Sequence, residues 1–216
     1  DPDGDIVRHL CGLDLAVEHP GWACYHTTLW TFDLDGTRVG VIGCAVGASF
    51  AVLLAEQLFA SGCELLLSVT SSGMITSLGD PPYFVIINRA LRDEGTSLHY
   101  LPPGDWSAAP GRLLDLVDGR LGGLVQRVVT GSTWTTDAPY RETEAAIAEA
   151  EALGIAAVEM EAAALYAFAT ARHRDVLCLA HVTNSMATGG DDFEKGEDGG
   201  APDALALVAA VIAAVR

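Results

Sequence analysis

Two carboxylates flank a single methionine at Glu159-Met160-Glu161, where the apolar run from Gly154 to Val158 gives way to the Ala-rich stretch Ala162-Ala163-Ala164-Leu165-Tyr166. A short apolar run followed by good helix formers reads as a strand turning into a helix, so both acids fall at a strand-to-helix junction. Open α/β sheets bind their ligands at such junctions. A carboxylate held there can accept hydrogen bonds from two neighbouring hydroxyls, the pattern that a ribose 2′,3′-diol offers. The same placement has a second reading, in which acids in the first turn of a helix only complement its macrodipole. The triplet alone leaves both open.

The elements that must position these acids alternate along the chain. Apolar patterning predicts strands near 38–44, 64–70, 83–88, 126–132, 155–159 and 176–183, and helices near 48–61, 111–120, 141–153, 160–173 and 202–215. Such alternation argues for an α/β fold, a sheet layered by helices. With 216 residues, about half of them apolar, a single domain over 1–216 with a sizeable core is expected. No apolar run approaches the roughly 18 residues of a membrane span, and the opening Asp-Pro-Asp-Gly-Asp lacks signal-peptide character. A cytoplasmic protein with no membrane partner is therefore expected.

Composition removes several classes of chemistry. A net charge of −17 argues against nucleic acid as a partner, because phosphate-backbone binding needs Lys and Arg to displace counterions. Cys11, Cys24, Cys44, Cys63 and Cys178 form an odd set without Cys-x-x-Cys spacing, and the six histidines show no i, i+4 pairing, so neither a disulfide framework nor a metal site is expected. Gly40, Gly43 and Gly47 miss the dinucleotide-binding spacing, and no Walker lysine follows them. The Gly- and Asp-rich segment 187–201 reads as a loop, either solvated or covering a site.

Val158-Glu159-Met160-Glu161-Ala162-Ala163-Ala164-Leu165-Tyr166 resembles the ribose-binding signature of the nucleoside phosphorylase and nucleosidase superfamily, which includes the purine and uridine phosphorylases. Four further stretches in the same order are similar to that family. Gly4-Asp5-Ile6-Val7-Arg8 looks like its phosphate loop. Val39-Gly40-Val41-Ile42-Gly43 with Cys44 to Ser49 looks like its strand and glycine turn, leading into a helix. Leu66 to Gly73 resembles its second strand, whose end offers a hydroxyl to phosphate, and Trp134 to Thr143 the segment bordering the nucleobase. The resemblance implies a three-layer α/β/α fold with a central mixed sheet. It also implies that Glu161, with Glu159, Met160 and Val46 beside it, fixes the ribose. Gly4, Arg8 and Ser71 would hold phosphate, and Pro139, Tyr140 and Asn184 would border the base, with Glu161, Asn184 and Arg8 as the catalytic set. Phosphate enters as co-substrate, and neither cofactor nor metal is implied.

Several positions depart from the family pattern. Ser68 stands where its phosphorylases have an arginine that clamps phosphate, which removes about one bidentate contact. Val46 replaces a frequent methionine under the sugar, and Pro139 a base-stacking phenylalanine. Asn184 stands where the family's six-subunit purine phosphorylases and adenosine-type nucleosidases carry an Asp that can protonate N7. An amide cannot do this, but it can donate to a carbonyl oxygen gaining charge, which suits a 6-oxopurine or a pyrimidine. The alternative is a turn-forming Asn at a strand end.

Residues 88–103 resemble the stretch after the third strand in uridine-phosphorylase-like members, with Arg92, Asp93 and Glu94 near the site or a subunit contact. The family often sends residues equivalent to Trp22, Tyr25 and His26 into an adjacent subunit, so His26 and His99 are candidates for a neighbour's pocket in a homo-oligomer, a dimer or a trimer of dimers. His99 has a purely structural reading as well. The expected activity is phosphorolysis of a nucleoside to free base and pentose 1-phosphate. A nucleoside hydrolase or a non-catalytic nucleoside-binding protein are the alternatives, and the abrupt opening on the phosphate loop leaves a preceding segment open.

Overall fold

The computed structural model describes residues 1–24, 26–185 and 195–216, the side chains of Asn184 and Ser185 excepted. In chain order the elements are α1 (Asp5–Gly12), β1 (Val17–Glu18), β2 (Trp30–Leu34), β3 (Thr37–Val41), α2 (Ala48–Ala60), β4 (Leu65–Met74), β5 (Tyr83–Asp93), β6 (Trp106–Ala108) and α3 (Gly111–Val117). They continue with β7 (Val128–Thr136), α4 (Glu144–Ala152), β8 (Ala157–Glu159), α5 (Ala162–Arg172), β9 (Asp175–Ser185) and α6 (Ala201–Val215).

The fold is a mixed α/β one, as expected, with a central sheet in the order β6-β5-β7-β8-β4-β9. β4 with β9, β5 with β7 and β7 with β8 are parallel pairs, whereas β4 with β8 and β5 with β6 are antiparallel. β9 also pairs antiparallel with β5, so the strands close on themselves beyond what an open layer requires. Tyr83 to Ile87 are all buried, which is why that stretch of β5 reads as a continuous apolar run and not as an alternation.

The strand expected at 38–44 is shorter and sits elsewhere. Thr37–Val41 joins Trp30–Leu34 and Val17–Glu18 in a separate three-stranded antiparallel sheet. Asp35 and Gly36 connect β2 to β3, both at positive φ (50° and 77°), as a two-residue hairpin turn of type I′ requires. The helix expected from 141 begins at Glu144, where the Thr143 hydroxyl accepts the Ala146 N–H and caps it. Residues 139–141 form a short 3₁₀ turn before it.

Helix α5 fixes the junction that carries the two acids. Eight consecutive residues, Ala162 to Ala169, are buried, and the alanines let the helix seat against α2, β5 and β9 at once. Tyr166 is wholly buried; its hydroxyl donates to the Ile87 carbonyl and accepts the Cys178 N–H at 2.9 Å, tying α5 to β5 and β9. The Ile87 carbonyl lies where β5 slips register between Ile87 and Arg89.

The run Glu197–Val215 is long and apolar enough to cross a membrane by composition, contrary to the sequence reading. Its continuous α-helix is the 15-residue α6, short of the roughly 20 residues a span needs. Ala201, Ala204, Leu207, Val208, Val211 and Ala214 are buried, and the helix packs on α1 and α3 as a core element.

Candidate active site

Glu159 and Glu161 lie at the end of β8 and the start of α5, both buried, and their surroundings differ. The Glu159 Oε2 accepts the N–H groups of Glu161 and Ala162, each at 2.7 Å. Its Oε1 accepts the hydroxyls of Thr133, at 3.0 Å, and Thr135, at 2.5 Å. Thr135 in turn accepts the Ala163 N–H at 2.9 Å. The first N–H groups of α5, which have no partner within the helix, are thus satisfied by Glu159 and Thr135. Thr133 and Thr135 reach one carboxylate because residues two apart on β7 share a face, with Thr135 opposite Glu159 across the ladder.

Glu161 is held from the other side. Its Oε1 accepts the Gly47 N–H at 2.7 Å, and its Oε2 is buried with no hydrogen-bond partner. Gly47 precedes the first residue of the 13-residue α2, so the carboxylate faces the positive end of that helix. Gly47 has φ 97°, a region where a side chain is strained.

Burial pushes both carboxyls up. On Glu159 its four donors oppose that push and favour the ionised form. Glu161 is raised to about 7, first by burial and then by the Glu159 charge. The pair therefore keeps its charge on Glu159, and Glu161 is the member that takes up a proton.

The amino-terminal segment closes over the end of β4. Asp3 Oδ2 accepts the Ser71 N–H at 2.7 Å. Gly4, at φ 78°, caps α1 and packs against the turn at Gly43 and Cys44, where a Cβ on Gly43 would meet the Gly4 Cα at 3.2 Å. Arg8, 70% exposed, turns back to Asp5 at 2.7 Å. Lys195 Nζ lies 2.8 Å from Asp5 and 3.9 Å from Asp3. Against a desolvation that pushes the Asp5 carboxyl up, Lys195 and Arg8 hold it below its ordinary value. A cavity of about 20 Å³ beside this cluster is lined by Asp3, Asp5, Thr70, Ser71, His181 and Gly200. His181 stacks on Phe84, and its buried Nε2 has no partner. Burial, then Lys195, lowers its pKa to about 4, so the ring is neutral.

The structure thus brings Glu161, Met160, Gly47, Thr70, Ser71 and Gly4 to one end of the sheet. Val46, half exposed, precedes Gly47 on the same turn. Glu159 lies there too, but its four bonds leave it no capacity for a sugar hydroxyl. The Arg8 guanidinium points away toward Asp5. Tyr140 is fully exposed on the 3₁₀ turn with Pro139, beyond the end of β7.

His26 and His99 are both exposed. Arg92 bonds Ser97 and the carbonyls of Leu101 and Pro102, and Glu94 caps the turn at Thr96 and Ser97, so both serve their own loop. Asp93 accepts the Trp134 indole N–H. Asn184 is the next-to-last residue of β9, opposite Gly73, but the side chain on which its role depends lies outside the described residues, as do Tyr25 and residues 187–194 of the loop expected at 187–201.

Sequence reasoning missed Thr70, Thr133, Thr135, Asp3 and His181. The alternation Thr133-Trp134-Thr135, polar on one face of a strand inside the sheet, was the available signal for two of them. Among the described residues no group of His, Cys, Asp and Glu is arranged to hold a metal.

Residues 4–213 match the model of the Phosphorylase superfamily. A guanosine phosphorylase from Halorubrum lacusprofundi is 25% identical over 166 residues, 76% of this chain and 67% of that protein. A DeoD-type purine nucleoside phosphorylase from Colwellia psychrerythraea is 29% identical over 162 residues, 74% of this chain and 69% of that one. Among solved structures, uridine phosphorylase from Vibrio fischeri superposes with a TM-score of 0.80 at 18% identity, covering 97% of this chain and 86% of that one in its complex with 6-hydroxy-1-naphthoic acid. A second structure of the same uridine phosphorylase gives the same score, with 87% of that chain covered. With the family model spanning nearly its whole length, the chain belongs to the phosphorylase superfamily.

Proposed function

We propose that the protein is a nucleoside phosphorylase, a pentosyltransferase that cleaves the N-glycosidic bond of a 6-oxopurine or pyrimidine nucleoside. The observation that carries this reading is the unpartnered Oε2 of Glu161, a buried carboxylate oxygen at the positive end of α2 with capacity left for the sugar hydroxyls. Anchoring hydroxyls that do not react orients the carbon that does. The C1′–N bond breaks with its electron pair leaving on the base, a phosphate oxygen bonds to C1′, and the base takes up a proton. Gly4, Arg8 and Ser71 hold the phosphate, which requires Arg8 to leave Asp5. Asn184 donates to the base carbonyl, with Pro139 and Tyr140 at its border. His26 and His99 serve a neighbouring subunit's site in a homo-oligomer. The names of the two curated relatives favour a purine, and cysteines that form no disulfide among the described residues fit the reducing cytoplasm expected from the sequence.

Incubation with inosine, guanosine, uridine and thymidine, with and without phosphate, tests the proposal. Base release that depends on phosphate supports it; equal release in both conditions removes phosphorolysis. That second outcome is hydrolysis, a reading favoured by Ser68 at the arginine position and by the Asp3 carboxylate on the Ser71 amide. Nucleoside binding without any cleavage would leave a binding protein.

A further inference from the structure

The groups at this end of the molecule that suit an anion are already engaged by carboxylates of the same chain. The Ser71 N–H is taken by Asp3 at 2.7 Å, the Arg8 guanidinium by Asp5 at 2.7 Å, and Lys195 by Asp5 at 2.8 Å with Asp3 at 3.9 Å. The adjoining cleft, lined by Asp3, Asp5, Thr70, Ser71, His181 and Gly200, opens onto the same donors. Asp5 is pinned by two cations. Asp3 is the freer acid: its strong contacts reduce to the Ser71 amide, and its side chain is 31% exposed, so it has a path outward to water. A phosphate oxygen arriving at the Ser71 N–H would meet the Asp3 carboxylate on the same donor and be repelled by its charge.

We propose that Asp3 selects the acceptor in this enzyme: its carboxylate competes with phosphate for the Ser71 N–H, and phosphate binds only in molecules where Asp3 has swung out. The inference rests on the reading that Ser71 is a phosphate ligand. The apparent phosphate affinity is then the intrinsic one reduced by the fraction of molecules with the Ser71 amide open. Ser68 bears on the same balance, because no guanidinium on β4 draws phosphate in against Asp3.

The test is inorganic phosphate titrated by calorimetry into the wild type, Asp3→Asn and Asp3→Ala, with the KM for phosphate and for nucleoside measured alongside. Asp3→Asn keeps the shape and a weaker, neutral acceptor; Asp3→Ala empties the position and guards against an Asn that still blocks it. Expected is a phosphate dissociation constant lowered about tenfold in Asp3→Ala, less in Asp3→Asn, with KM for nucleoside changed by less than about twofold. A structural role for Asp3 would weaken phosphate binding on substitution. Unchanged or weaker binding in both variants overturns the proposal, as does a failure of either to bind phosphate. Because calorimetry needs no turnover, tighter phosphate binding without nucleoside cleavage would sink the proposed function and leave standing only the competition between Asp3 and phosphate for the Ser71 N–H. Phosphate-dependent cleavage with unaltered affinity would do the reverse.

Discussion

Glu159 and Glu161 are two residues apart, equally buried and of one chemical type, yet one builds the site and the other is placed to work in it. Glu159 is surrounded by donors: two backbone N–H groups of α5 and two threonine hydroxyls fill its oxygens. Glu161 has one oxygen on Gly47 and one with no partner. Burial alone therefore does not mark a functional acid. Unfilled hydrogen-bonding capacity inside a buried site does, because leaving it unfilled costs stability unless a ligand completes it.

The largest effect should come from breaking that asymmetry at the working end. Glu161→Gln removes the acceptor charge for two hydroxyls, each charge-assisted bond being worth about 1.5–3 kcal/mol, so kcat/KM should fall about a hundred- to ten-thousandfold. The same substitution relieves the repulsion with Glu159, so the melting temperature at pH 8 should hold or rise. Steady-state kinetics and calorimetry on one preparation check both. Lost activity together with lost stability would mean that Glu161 is a second structural acid.

The pH dependence carries opposite signs for activity and stability. A carboxyl raised to about 7 is ionised only above that pH, so kcat/KM should fall about tenfold per unit as pH drops below 7. For stability, the folded state holds the Glu161 proton over a range where the unfolded chain has released it. The contribution is full below the ordinary value of 4.5 and is lost as pH rises to about 7, on the order of 3 kcal/mol across the window. Urea titrations at pH 5 and pH 8 should show that slope in the wild type and a flatter one in Glu161→Gln.

Glu159→Gln probes the structural member. The amide can still accept from the Glu161 and Ala162 N–H groups, but its NH₂ then faces Thr133 and Thr135, and Thr135 already accepts from Ala163. One donor is left without a good partner, and stability should drop by about 2 kcal/mol while KM for nucleoside moves little once the protein is folded. Denaturant midpoints with an unchanged m-value would establish this.

The strand-to-helix junction at 155–168 was legible because its apolar run, its alanines and its acids all pointed one way, and the resemblance to the family rested on that stretch. The buried strands β4, β5, β7 and β9 were legible for the same reason. What was not legible depends on contacts distant in sequence. That Glu159 is saturated follows from Thr133 and Thr135, more than 20 residues away and placed by the β7–β8 register. That Asp3 sits on Ser71 follows from how the first residues cross the end of β4. The first hairpin was legible in the sequence although no strand was expected there: Trp-Thr-Phe-Asp-Leu at 30–34 alternates apolar and polar residues directly before the Asp35-Gly36 turn. Arg8 was expected at the phosphate from its motif, but an exposed Arg three residues after an Asp on a helix has a partner at hand and takes it.

Tyr166→Phe should give the smallest effect, and it separates the frame that carries both acids from the acids themselves. The hydroxyl joins α5 to the Ile87 carbonyl and the Cys178 N–H, so it feels the Glu159 charge without hydrogen-bonding to that carboxylate. Removing it leaves one buried acceptor and one buried donor, a loss of about 1–2 kcal/mol, with the ring still filling its place so that no cavity opens. If α5 is positioned chiefly by its buried alanine face, the pH at which activity half-falls should stay near 7 and kcat should change by less than about threefold. A shift in that midpoint would mean that the hydroxyl helps set the spacing between Glu159 and Glu161. The electrostatic difference between them would then be a property of how α5 is seated, more than of the donors each acid has gathered.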